Sequence, residues 1–140
     1  MVRIRNRNIP LRAQLEKLRR YFPASTFSVG NYGNTFIWKA LFQPSELSCS
    51  YEVKIEYILG TSPKVYVLSP NPLPLANGAT RLPHVYNHEK QQLCLYYGAE
   101  REWTPDKMIA DTILPWISEW LLHYEYWVIT GMWHGGGIVH

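Results

Sequence analysis

Apolar residues first recur at helical spacing near the amino terminus, at Leu11, Leu15, Leu18 and Phe22. Pro10 suits the first position of a helix and Pro23 follows its stop, so the pattern predicts a helix over residues 10–22. Its other face is cationic, through Arg12, Lys17, Arg19 and Arg20. The period then shortens to two. Residues 26–29 form a short candidate strand, Asn31-Tyr32-Gly33-Asn34 a turn, and residues 35–42 are rich in the aromatic and β-branched residues that strands favour. Tyr51, Val53, Ile55 and Tyr57 alternate with Glu52, Lys54 and Glu56, the signature of a half-buried strand. Gly60-Thr61-Ser62-Pro63 turns the chain into a fourth strand over residues 64–68. Neighbouring strands joined by short turns predict an antiparallel meander with one wet and one dry face.

From Ser69 the pattern is lost. Pro70, Pro72, Pro74, Asn77, Gly78 and Pro83 leave little room for helix or strand interior, and this long segment runs to Cys94. Regularity returns with Met108, Ile109, Thr112, Ile113 and Trp116, a helix expected to begin at Pro105 with Thr104 as its cap. Pro115 lacks an N–H and clashes with the preceding turn, so a kink or a break is expected there, with a second helix over residues 115–126. Trp116, Trp120, Tyr124 and Trp127 form an aromatic stripe at helical spacing, read as core. The sequence thus predicts an α+β fold in a single domain of residues 1–140. Its parts are a basic arm and helix (1–22), a four-stranded sheet (26–68), a flap bearing Cys94 (69–103), helices (105–127) and a glycine-rich tail (130–140).

Composition fits that frame: 46% of the 140 residues are hydrophobic, enough for a core. No apolar run approaches the ~20 residues of a membrane span. Met-Val-Arg-Ile-Arg-Asn-Arg has charge without an apolar stretch behind it, unlike a signal peptide. The two cysteines form no CxxC, and the expected setting is cytoplasmic. The net charge of +3 hides an asymmetry. Arg3, Arg5, Arg7, Arg12, Lys17, Arg19 and Arg20 face only Glu16 in the amino-terminal region, whereas Glu100, Glu102, Asp106, Asp111, Glu119 and Glu125 outweigh Arg101 and Lys107 further on. A basic surface of this kind serves an acidic protein partner or nucleic acid. Without a nucleic-acid motif the partner reading is preferred, with Arg12, Arg19 and Arg20 as its contacts.

The candidate chemistry centres on Cys94. It stands in Leu93-Cys94-Leu95-Tyr96, ten residues after His84 in Leu82-Pro83-His84-Val85-Tyr86-Asn87 and nine before Trp103-Thr104-Pro105-Asp106. A cysteine that carries an acyl group needs a thiolate within reach of its partner and no dedicated base beside it. Ending an irregular segment, Cys94 is expected to be accessible, and Cys49 a bystander. A cysteine-protease dyad of Cys94 with His84, His88 or His123 is a weaker reading. A zinc site of Cys49, Cys94, His84 and His88 lacks the paired close spacing of such sites, and no metal or cofactor is expected.

The order His, ten residues, Cys-Leu, then Trp-Thr-Pro and an apolar helix is similar to ubiquitin-conjugating enzymes, where the pattern reads His-Pro-Asn, Cys-Leu and Trp-Ser-Pro. The carboxy-terminal half resembles more closely the stand-alone bacterial relatives of anti-phage CBASS operons. That likeness rests on Leu82-Pro83-His84-Val85-Tyr86, Leu93-Cys94-Leu95-Tyr96, Thr112-Ile113-Leu114-Pro115-Trp116, Glu119-Trp120-Leu121, Tyr124-Glu125 and Trp133-His134-Gly135-Gly136-Gly137. The resemblance implies a ubiquitin-conjugating fold. It also implies a thioester on Cys94 with the carboxy terminus of a cGAS-like nucleotidyltransferase or a ubiquitin-like protein, activated by a separate chain. By position His84 would brace the flap. Tyr86 stands where the family has the Asn that supports the oxyanion, so either Tyr86 or neighbouring Asn87 supplies that donor, or Tyr86 serves as packing and there is no dedicated donor. The alternatives are a conjugating enzyme of another bacterial ubiquitin-like pathway and an inactive binding module of the same fold. A nucleic-acid binder using the basic arm is a third.

Overall fold

A computed structural model describes residues 8–96 and 102–134. Helix α1 (Leu11–Tyr21) buries Leu11, Gln14, Leu15 and Leu18 on one face. Strands β1 (Thr26–Gly30), β2 (Thr35–Phe42), β3 (Tyr51–Ile58) and β4 (Lys64–Ser69) follow in order as antiparallel neighbours. Strict alternation along β2 and β3 sends Phe36, Trp38, Ala40, Phe42 and Tyr51, Val53, Ile55, Tyr57 into the core. Each large side chain fully buried there contributes about 1.5–3 kcal/mol.

The segment after β4 is more ordered than its prolines predict. Two short strands, β5 (Val85–Asn87) and β6 (Gln92–Leu93), pair with each other, and β6 pairs with β4. The sheet therefore has six strands rather than four, in the order β1-β2-β3-β4-β6-β5. The chain between β4 and β5 includes cis peptide bonds at Ser69–Pro70 and Asn71–Pro72. Side chains supply the hydrogen bonds that its prolines cannot. Gln91, 2% exposed, donates from Nε2 to the carbonyls of Val67 and Pro70 and accepts from Leu73 N–H at Oε1. His88 Nδ1 accepts from Leu82 N–H. A buried amide satisfied on every side anchors a loop at positions where a missing bond would cost about 1–3 kcal/mol.

The carboxy-terminal helix also departs from expectation. A single helix, α2 (Ile109–Thr130), replaces the predicted pair and runs straight through Pro115. Pro115 is exposed, on the side of the helix away from the core. Ile113, Leu114, Ile117, Trp120 and Leu121 hold the helix to the sheet on both sides of it. The start lies at Ile109 rather than Pro105, and Thr104 does not cap it. Its cap comes from α1: Gln14 Oε1 accepts from Ile109 N–H and Gln14 Nε2 donates to the Lys107 carbonyl. The stop is local, Gly131 in the left-handed region (φ 79°) with its N–H on the Trp127 carbonyl. Of the predicted tail, residues 135–140 lie outside the described residues.

Candidate active site at Cys94

Cys94 follows β6 directly, at the sheet edge formed by β6 and β5. Its N–H donates to the His84 carbonyl at 3.0 Å, extending the short β5–β6 ladder. The same carbonyl accepts from Trp120 Nε1 of α2, also at 3.0 Å. His84 has a positive φ of 48°, a conformation His adopts more readily than most residues. Its ring packs on Trp133, with centroids 4.7 Å apart, and Trp133 packs in turn on Trp120 and His123. The residue ten positions before Cys94 therefore fixes the cysteine backbone through its own main chain, and the residues after α2 close over its ring.

The expectation that Cys94 is accessible is not met. Its exposure is 0%. Hairpin pairing on one side and the aromatic side chains around it remove the solvent access that an irregular loop would have left. Beside it stands Tyr86, 53% exposed. Burial of the hydroxyl end, then the neighbouring Cys94 thiol, push the Tyr86 phenol well above its usual range. The Tyr96 phenol is also raised, mainly by burial and then by Tyr86 and Cys94; it donates to the Pro63 carbonyl. A phenol with a raised pKa keeps its proton throughout the neutral range, so Tyr86 stands beside the sulfur as a donor.

Tyr86 and Tyr96 also line a surface groove of about 500 Å³ with Pro63, Lys64 and Gln92. Asn87 is occupied elsewhere. Its Oδ1 accepts from Lys90 N–H and shapes the turn between β5 and β6. His88 Nδ1 accepts from Leu82 N–H, and His123 Nε2 lies 3.8 Å from Glu119. Among the described residues no group of His, Cys, Asp and Glu could hold a metal ion.

The remaining sequence candidates lie apart from this edge. Cys49 is exposed and borders a groove of about 410 Å³ with Pro70, Leu73, Tyr124 and Glu125. Glu125 there accepts from Ser48 and Tyr51. Burial, then the bonds to Glu125 and Cys49, drive the Tyr51 phenol far above its usual range. Arg12 and Arg19 lie along a groove between α1 and β1, and Arg20 is exposed on α1. Lys17 is drawn inward, 2.7 Å from Asp111 of α2. Trp120 and Gln91 carry much of the bracing and were not singled out as site residues by the sequence. Their partners stand 36 and 24 positions away, a separation local patterns do not reveal.

The architecture is an α+β domain in which an antiparallel sheet and one long helix fix a cysteine against a histidine main chain. Residues 14–140 match the family described as Type II CBASS E2 protein, and the chain belongs to that family. Membership makes it a CBASS-associated E2-like protein of bacterial antiviral defence. No curated protein matched the sequence. No helix among the described residues is long and apolar enough to cross a membrane.

Proposed function

We propose that this chain is a ubiquitin-conjugating-type transferase that carries a protein carboxy terminus as a thioester on Cys94 and passes it to an amine. The cargo would be a cGAS-like nucleotidyltransferase or a ubiquitin-like protein, activated by a partner. The six-stranded sheet, helix order and Cys-bearing edge are compatible with a ubiquitin-conjugating fold, and 69–103 serves as its flap. The observation that carries the reading is the placement of Cys94 at the β5–β6 edge, its N–H on the His84 carbonyl and the Tyr86 phenol beside it. It sets a protonated donor beside the sulfur, at the family position of the oxyanion-supporting amide. In the transfer step the acceptor nitrogen attacks the thioester carbonyl and Tyr86 hydrogen-bonds to the developing oxyanion. The carbon–sulfur bond then breaks, Cys94 leaves as a thiolate, and the proton released by the acceptor nitrogen passes to solvent water. His84 holds the sulfur in place through the bond from Cys94 N–H to its carbonyl.

The test is an adduct with the partner that a thiol reductant cleaves. Wild type and Cys49→Ala should form it and Cys94→Ala should not; the reverse pattern moves the site. Tyr86→Phe should load normally and transfer about 10²-fold more slowly, the scale of one lost oxyanion donor. A second reading, a binding module without thioester chemistry, is favoured by the complete burial of Cys94. It predicts partner binding with no adduct under any activating condition.

A further inference from the structure

The sheet edge opposite Cys94 is built differently. β1 is the terminal strand, and among the described residues no strand pairs with its outer side. Its register sets Phe27 against Trp38 and Val29 against Phe36, so both side chains point to the core face of the sheet. Yet Trp38 and Phe36 are 0% and 1% exposed, whereas Phe27 and Val29 are 49% and 50% exposed. Helix α1 shields β2 and leaves the β1 margin open. The result is a groove of about 500 Å³ with Leu11, Leu15, Phe27 and Val29 as an apolar floor. Arg12 and Arg19 stand at its margin with Glu16 as the one opposing charge, and neither arginine has an ion-pair partner among the described residues. At the end of β1, Tyr32 is held fully in solvent on a positive φ of 54°. An exposed edge with an apolar margin invites an added strand.

We propose that this groove docks an acidic, apolar peptide segment of a protein partner, laid along β1 as a further strand. Backbone bonds to the open edge hold it, apolar side chains fill the space over Phe27 and Val29, and carboxylates meet Arg12 and Arg19. A nucleic acid would use the arginines but has nothing to set on the apolar floor. The two edges are about 24 Å apart at ~4.8 Å per strand step, so the docked segment is not the end that reacts at Cys94. It recruits the partner and raises the local concentration of whatever reaches the cysteine.

The full chain, labelled with nitrogen-15, is titrated with a synthetic decapeptide alternating Val or Leu with Asp or Glu. Amide shifts are expected along β1 and the Arg12–Arg19 face of α1, with no change on Cys94→Ala. The double variant Arg12→Glu, Arg19→Glu should weaken binding about tenfold or more at an unchanged circular dichroism spectrum. A peptide with Lys for each acid, or one N-methylated on its bonding edge, should not bind. Equal binding of either control peptide, or shifts confined to the Tyr86–Cys94 edge, overturns the proposal. So does a dimer dissolved by Phe27→Asp, which makes the occupant a second copy. Binding seen only after removal of residues 1–7 makes it the chain's own amino terminus. Displacement of the peptide by duplex DNA alone, with no response to Val29→Asp, assigns the arginines to nucleic acid.

Discussion

Cys49 and Cys94 occupy environments that differ in nearly every respect. Cys49 is exposed, in an irregular stretch between β2 and β3, beside a phenol and a carboxylate. Cys94 has no exposed surface, is tied by its N–H to His84 at a positive φ and lies beside Tyr86. Ranked by solvent access alone, Cys49 would be the more reactive thiol. Ranked by local geometry, Cys94 is the residue held in one orientation with a donor beside it. The same helix supports both neighbourhoods, through Trp120 at Cys94 and Glu125 near Cys49. Exposure of a thiol in the free chain and its readiness for a directed reaction are separate properties.

The comparison breaks most severely at Trp120. Trp120→Ala removes a fully buried ring and its bond to the His84 carbonyl, and should cost about 3–5 kcal/mol in denaturant unfolding. Labelling of Cys94 should accelerate with it; a stability loss without faster labelling would mean that α2 does not shield the thiol.

In the native protein, iodoacetamide should modify Cys49 at least about 10²-fold faster than Cys94. That ratio corresponds to a local opening of about 2.7 kcal/mol. Peptide mass mapping over time reads it, and equal rates would remove the contrast. Gln14→Leu leaves the first turn of α2 without its cap from α1, and should lower stability by about 1–3 kcal/mol. Cys94 labelling should rise less than in Trp120→Ala, because Trp120 lies three turns further along.

The smallest effect concerns Asp111. Its carboxyl is held below 3.8, first by the Lys17 hydrogen bond and also by Tyr21. A depressed carboxylate adds stability above its unfolded pKa and loses it as pH falls through the folded value. Asp111→Asn should therefore lower the melting temperature slightly at neutral pH, and the difference should vanish in strong acid. Both cysteines should label as in the wild type at every pH; a change at either would tie this surface pair to the site.

Much of this was legible in the chain. Alternation in Tyr51–Ile58 and the spacing of Leu11, Leu15 and Leu18 placed a helix and strands close to their observed bounds, because such periodicities reflect which face is buried. The spacing of His84, Cys94 and Trp103 singled out the edge where the candidate site lies and pointed to the family to which the chain belongs. What local patterns missed depended on partners far along the chain. Pro115 stayed within one helix because it lies on the exposed side while buried neighbours hold both sides. The helix began at Ile109 because Gln14 caps it. The proline-rich segment became part of the sheet because Gln91 answers its backbone groups. The burial of Cys94 likewise arises from tertiary packing, since solvent access depends on everything that covers a residue. By itself the sequence determined the faces of the helices and strands and the residue types available for chemistry. Only the tertiary structure decided which of those residues meet, because burial and hydrogen-bond partnership join positions that no local pattern connects.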